Sequence, residues 1–288
     1  MSPAHTPPAL WRPAALALAL ALLGAGCATP PPAPDWSAHL ASQPPTALLL
    51  LGEQHDAREH QQWEQATVQW LAGRRQLAAV VIEMAEAGQG TGGLPADATE
   101  EQARQALRWS DAAWPWTQYG PVVMAAVRAG VPVHGGNLPR ADMRAAMQDT
   151  ALDAHLPAPA LERQHEALRT GHCGLLPEAQ VAPMARVQLA RDRSLAQTAQ
   201  QALRPGQTVL LVAGAGHVQR GLGVPTWLPQ GLAYKVAIAQ TGQAQPAIER
   251  EADWIHATPA LPPRDHCAEL RAHWQSAPGA TPAPAAAP

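Results

Sequence analysis

Phenylalanine is absent from the 288 residues, and only two tyrosines (Tyr119 and Tyr234) and three cysteines are present. A core without phenylalanine falls to leucine and to the 10 tryptophans, large side chains whose indole N–H needs a partner when buried. Lysine occurs once, at Lys235, and no basic patch or run stands out, which disfavours nucleic-acid binding. No Cys-x-x-Cys-His is present, so covalent haem attachment is excluded. The longest apolar run near the N-terminus, residues 14–23, is ten residues of Ala and Leu only. A bilayer-spanning helix needs about 20 apolar residues, so this run suits the apolar region of a signal peptide, with Arg12 as its positive flank.

Small residues follow that run, Gly24-Ala25-Gly26, and then Cys27. The arrangement resembles a bacterial lipobox, although Gly24 stands where Leu is usual; the resemblance implies that Cys27 is lipidated and becomes the new N-terminus. Residues 1–26 then read as signal peptide and 27–45 as lipidated Cys plus a Pro-rich tether. Ala28 in place of Asp after Cys27 points to the outer membrane, so the expected location is the cell envelope, facing periplasm or surface. Without Arg12 the mature chain carries 19 basic against 23 acidic residues, a net of −4. Cys173 and Cys267 remain: in an oxidising compartment they read either as a disulfide tying the C-terminal tail to the domain or as two unrelated buried thiols.

Short apolar runs alternate with helical patterns from residue 46 to 258, which sets one domain between the tether and a Pro- and Ala-rich, fraying tail at 259–288. Strands are expected at 46–51, 77–84, 131–134, 208–213, 233–239 and 253–257. Helices are expected at 59–72, 100–107 and 118–129. The fold class is therefore α/β, a mostly parallel central sheet with helices on both faces and a helical insertion over about residues 140–204.

In such sheets ligand sites lie beyond the C-terminal strand ends. Strand one ends in Glu53 and His55, strand two at Glu83, strand three in His134 and Asn137 with Arg140 opening the next helix, and strand four in His217. Ionisable groups directly after apolar strands are costly to bury unless they pair or bind something. Two Gly-x-x-His turns stand out, Gly52-Glu53-Gln54-His55 and Gly214-Ala215-Gly216-His217. Two imidazoles with Glu53 and Glu83 suit a transition-metal site or an acid–base pair; each His could equally cap a neighbouring loop.

LLLLGEQHD (48–56), VVIEM (80–84), GGNLPR (135–140), HCGLLPE (172–178), QLARDRSLA (188–196) and VLLVAGAGHVQRGLGVP (209–225) occur in that order over about 180 residues. The combination resembles the ChaN-like haem-binding uptake lipoproteins of the Tiki/TraB and erythromycin-esterase superfamily. The resemblance implies haem as ligand, a role in iron uptake, and the two Gly-x-x-His motifs with Glu53 and Glu83 as the marked site. It also implies that Arg191 or Asp192 points at that site, where a solvated charge cluster is the other reading. His172, in a Gly-flanked loop, could reach a metal or haem face. Tyr119, close to Trp114-Pro115-Trp116, is the candidate phenolate for ferric iron, whereas Tyr234 reads as core. Arginines such as Arg140 would pair the haem propionates, with Asn137 nearby. Expected partners are haem, the membrane through Cys27, a second copy sandwiching haem, and an outer-membrane haem or iron transporter. The alternative is a metal-dependent hydrolase of the same superfamily, in which His55, His217, Glu53 and Glu83 hold Mn, Co or Zn or activate water.

Overall fold

The computed structural model describes Met1 and residues 35–276. The signal peptide, Cys27 and the Pro-rich stretch before Asp35 lie outside the described residues, as does the tail after Ser276. In chain order the elements are α1 (Trp36–Ser42), β1 (Leu48–Glu53), α2 (Arg58–Gly73), β2 (Leu77–Glu86), α3 (Glu100–Ala106), α4 (Trp116–Arg128) and β3 (Val133–Asn137). They continue as α5 (Met143–Gln148), α6 (Ala158–Gly171), α7 (Glu178–Gln201), β4 (Thr208–Gly214), α8 (Ala215–Val218), β5 (Tyr234–Thr241), α9 (Pro246–Glu249), β6 (Trp254–Thr258) and α10 (His266–Ser276).

The six strands form one sheet in the order β3-β2-β4-β1-β5-β6, and every neighbouring pair is parallel. The run of leucines explains β1: Leu49 and Leu51 face one layer of helices, Leu48 and Leu50 the other, so both faces are covered. On the first face α2 and α4 pack over Leu49, Val80, Ile82 and Leu210. On the second, α7 brings Leu195, Ala196 and Ala199 onto Val81, Val209 and Leu211. The helical insertion spans α5 to α7 and holds a smaller core of its own, built on Val187, Leu189, Leu152 and Leu156.

Leucine dominates the fully buried side chains, and among the described tryptophans only Trp63 and Trp116 are buried outright. Two of the half-buried ones set the indole N–H on an acceptor: Trp36 donates to Thr67 Oγ1 and Trp109 to the Trp114 carbonyl, both at 2.8 Å. β3 begins later and runs further than its apolar residues suggest, so His134 is its second residue and not its end. That places His134 beside Gly90 and Arg204, toward the opposite edge of the sheet from the other strand-end groups. The Pro-rich stretches also hold more helix than composition indicates. α1 is started by Asp35, which accepts from the Ser37 N–H at 2.9 Å, and α10 sits beyond Pro263 in the expected tail. A disulfide between Cys173 and Cys267, Cα atoms 5.6 Å apart, fixes the start of α10 to the loop after α6. Among the described residues no helix is long and apolar enough to cross a membrane.

Candidate functional site

β1 and β4 are neighbours in register, with Gly52 opposite Ala213 and Glu53 opposite Gly214, so the two Gly-x-x-His turns leave the sheet side by side. Each glycine makes room for the other turn. A Cβ on Gly52 would stand 2.4 Å from Val218 Cγ2, the residue after His217. A Cβ on Gly214 would stand 2.8 Å from His55 Nε2. The motif is therefore reciprocal packing of two strand ends, and the close approach is what requires glycine at both.

The imidazoles meet around Glu83, which β2 brings in from the other side of β4. His217 Nδ1 donates to Asp192 Oδ1 at 2.6 Å and its Nε2 lies 3.4 Å from Glu83 Oε1. His55 Nδ1 donates to Glu53 Oε1 at 2.7 Å, with its Nε2 3.9 Å from Glu83 Oε2. Glu83 Oε2 also accepts the Gly214 N–H at 2.8 Å, and the Asn137 amide donates to the Glu83 carbonyl at 2.8 Å. Beneath His55, Glu53 accepts the Tyr119 hydroxyl at 2.7 Å and the amide of Gln61. Trp114 sets its ring edge-on to His55, centroids 4.8 Å apart.

Burial alone would drive these groups neutral, and mutual charge overrides it for three of them. Against desolvation, the carboxylates of Glu83 and Asp192 push His217 up to about 10. Against the same penalty, His217 and His55 hold Glu83 down at about 2. His55 is likewise raised despite burial, by its bond to Glu53 and the charge of Glu83. For Asp192 burial wins and lifts it to about 6, since His217 shares its charge with Glu83. Tyr119 goes well above the ordinary phenol range through burial and the charge of Glu53. Glu64, wholly buried next to Glu53, is pushed well above the carboxylate range by burial and by that neighbour.

Above this floor opens a cleft of about 910 Å³. The strand ends form one wall with Glu53, His55 and His217; α10 forms another with His266, Leu270 and His273. Of the five residues expected to hold a cofactor, none lines this cleft. Tyr119 is buried with its hydroxyl spent on Glu53, a phenol below the site and not a phenolate on its open face. Asn137 holds the Glu83 backbone from behind. Arg191 lies one residue from Asp192, and of that pair Asp192 is the one that reaches an imidazole. Arg140 is exposed and contributes its backbone N–H to Glu86 at 3.0 Å. His172 turns back onto the Leu168 carbonyl at 2.8 Å, as the residue closing α6.

The four residues expected to bind a metal, Glu53, His55, Glu83 and His217, do come together, with imidazoles and carboxylates bonded to one another. Among the described residues, no group of three or more His, Cys, Asp or Glu is arranged to hold a metal ion. Gln61, Glu64, His266 and His273 went unselected in the sequence, and Asp192 stood there as the alternative to Arg191. The signal for the first two is their spacing of three on α2 behind a strand-end glutamate; for the α10 histidines it is their spacing of seven, with Leu270 between.

The profile of the haem-binding uptake family of the Tiki superfamily, ChaN, matches residues 42–228. Among solved structures, that of cofacial haem binding to ChaN of Campylobacter jejuni is similar at a TM-score of 0.59 and 19% identity, covering 76% of this chain and 89% of that one. The type III effector HopBA1 is similar at 0.42 and 14%, covering 75% and 88%. A protein of Bacillus cereus follows at 0.37 and 12%, covering 69% and 66%. The first of these bears on the fold alone, and no curated protein sequence matches the chain.

Proposed function

Because the chain belongs to the haem-binding uptake family of the Tiki superfamily, we propose that it is a lipid-anchored envelope protein that binds haem for the uptake of haem or its iron. The observation that carries this reading is the cleft beyond the strand ends, about 910 Å³, near the top of the roughly 300–1,000 Å³ typical of small-molecule sites. Its lining fits the group: imidazoles for iron, and Leu270, Ile248 and Ala239 as apolar surface for a macrocycle. Haem, when bound, would supply an iron open to a ligand from the protein. Despite burial, His217 and His55 favour the charged form because Glu83, Asp192 and Glu53 neutralise them, so the floor carries no surplus positive charge.

The hydrolase reading asks more of the same residues. A general base must be unprotonated near pH 7; His217 is held protonated to about 10, which leaves that role to a carboxylate such as Glu83. A metal would take the two Nε2 atoms and Glu83, with the Nδ1 bonds to Glu53 and Asp192 kept as orienting partners.

Lipidation at Cys27, delivery to the outer membrane, a second copy closing over haem and hand-over to an outer-membrane transporter complete the proposal. Titrating haemin into the full chain in detergent tests it: the expected result is a saturable Soret shift. No shift, together with stoichiometric Mn, Co or Zn by elemental analysis, would overturn it in favour of the hydrolase. Anchoring is read separately, since Cys27→Ser should move the protein from the membrane to the soluble fraction.

A further inference from the structure

A second cavity, of about 500 Å³, opens at the other end of the sheet, where the strands begin. Thr208 opens β4, Lys235 is the second residue of β5 and Trp254 opens β6, and all three line it. From α1 come Trp36 and Leu40, and from the last turn of α2 comes Trp70. Three of the chain's 10 tryptophans thus face one space, and none of the three is fully buried. Protein interiors are packed as densely as organic crystals, so an indole-walled space of this size stands out. It falls within the roughly 300–1,000 Å³ of small-molecule sites.

Its charge has one sign to spare. Among the lining residues, Arg74, Lys235 and Asp253 carry charge. Asp253 is already held by Arg220 and by the Val236 N–H at 2.8 Å, with Lys235 Nζ farther off at 3.4 Å. Arg74 is exposed, lies over the Trp70 ring at 3.9 Å and makes no ion pair among the described residues. Lys235 is the one lysine of the chain, a compact charge on a flexible stem that can turn from Asp253 toward another anion. His39 sets its ring 3.9 Å from that of Trp254; burial and the nearby Lys235 push it below its ordinary value, so it adds no charge at pH 7. The Trp254 indole N–H is buried without an acceptor among the described residues, and such a donor is costly to leave unmatched. Indole walls, two cations and an idle N–H all suit an aromatic body that carries an acid group. A cation or a metal would meet lysine and arginine at the same place and be repelled.

We propose that this cavity is a second ligand site, which takes a small aromatic carboxylic acid: the ring lies against the indoles of Trp36, Trp70 and Trp254, and the carboxylate meets Lys235 and Arg74. The proposal stands apart from the haem-binding reading, since this cavity and the strand-end cleft share no lining residue.

The test is isothermal titration of 3-phenylpropionate into the full chain in a non-ionic detergent at pH 7, with the detergent blank subtracted. The wild type should bind it saturably. 3-Phenylpropionamide keeps the ring without the charge, propionate keeps the charge without the ring, and each should bind several-fold more weakly. Losing an exposed ion pair shifts an equilibrium about two- to fivefold. Lys235→Gln and Arg74→Gln should therefore each weaken 3-phenylpropionate by about that factor, and the double variant by about the product. Both side chains reach solvent, so the variants should keep the wild-type thermal midpoint. Arg264→Gln, in the strand-end cleft, should leave the affinity as it is. No saturable heat in the wild type, equal affinity for the acid and its amide, or an unchanged affinity in the double variant would each overturn the proposal. So would a loss caused by Arg264→Gln in place of the double variant, which would put the acid in the other cleft.

Discussion

Replacing His217 with glutamine tests the electrostatic floor of the site. In the folded protein this imidazole sits between Asp192 and Glu83, its side chain 12% exposed, and holds its proton up to about 10, against an ordinary 6.5. A folded value raised above the unfolded one means stability that is complete below pH 6.5 and lost as pH rises through 10. Within that window the folded state binds one more proton than the unfolded state, so each pH unit removes about 1.4 kcal/mol. From pH 7 to 9.5 the wild type should therefore lose about 3 kcal/mol through this residue alone. Glutamine has no proton to lose and leaves two buried carboxylates without their cation, a cost of about 3–5 kcal/mol at pH 7. Urea unfolding followed by tryptophan fluorescence, run on both proteins from pH 7 to 9.5, should show the gap shrinking from that figure to about 1 kcal/mol. Parallel pH profiles would refute the reasoning, because they would mean that His217 carries the same charge folded and unfolded.

The acid limb belongs to Glu83: its folded value of about 2 predicts stability lost as pH falls from 4.5 toward 2, and Glu83→Gln should flatten that limb in the same titration. Gly52→Ala puts a methyl 2.4 Å from Val218 Cγ2 and should cost about 1–3 kcal/mol, read as a lower thermal midpoint; an unchanged midpoint would refute the reciprocal-packing account of the turns. Reducing the disulfide opens a link across 94 residues and should cost about 2–5 kcal/mol in urea. Tyr119→Phe removes a buried donor from Glu53 and should cost about 1–3 kcal/mol.

The fold was legible because a strand covered on both faces must be apolar at every position, and the runs ending at Leu51, Met84 and Ala213 have few other uses in a chain of this length. β3 was misjudged at its end, since His134, Gly135, Gly136 and Asn137 have no apolar signature. Its glycines are there for closeness: a Cβ on Gly135 would lie 2.2 Å from the Glu86 carbonyl, and one on Gly136 would lie 2.7 Å from Val81 and Leu195. A strand built of glycine because its neighbours press against it is indistinguishable, in sequence, from a turn.

The site divides along the same line. What local sequence carries, glutamate and histidine directly after an apolar strand, was found: Glu53, His55, Glu83 and His217 are four corners of one array. What depends on the third dimension was left open or missed. Asp192 lies on α7, 25 residues before the imidazole it binds, and only the packing of α7 across the sheet aims it there and leaves Arg191 to the side. His266 and His273 lie in a segment whose composition reads as a tail; α10 reaches the cleft because Cys267 is tied back to Cys173. The two Gly-x-x-His turns therefore mark the place of the site through their mutual packing, while the surface open to a ligand is completed by elements that no strand-end rule brings into view.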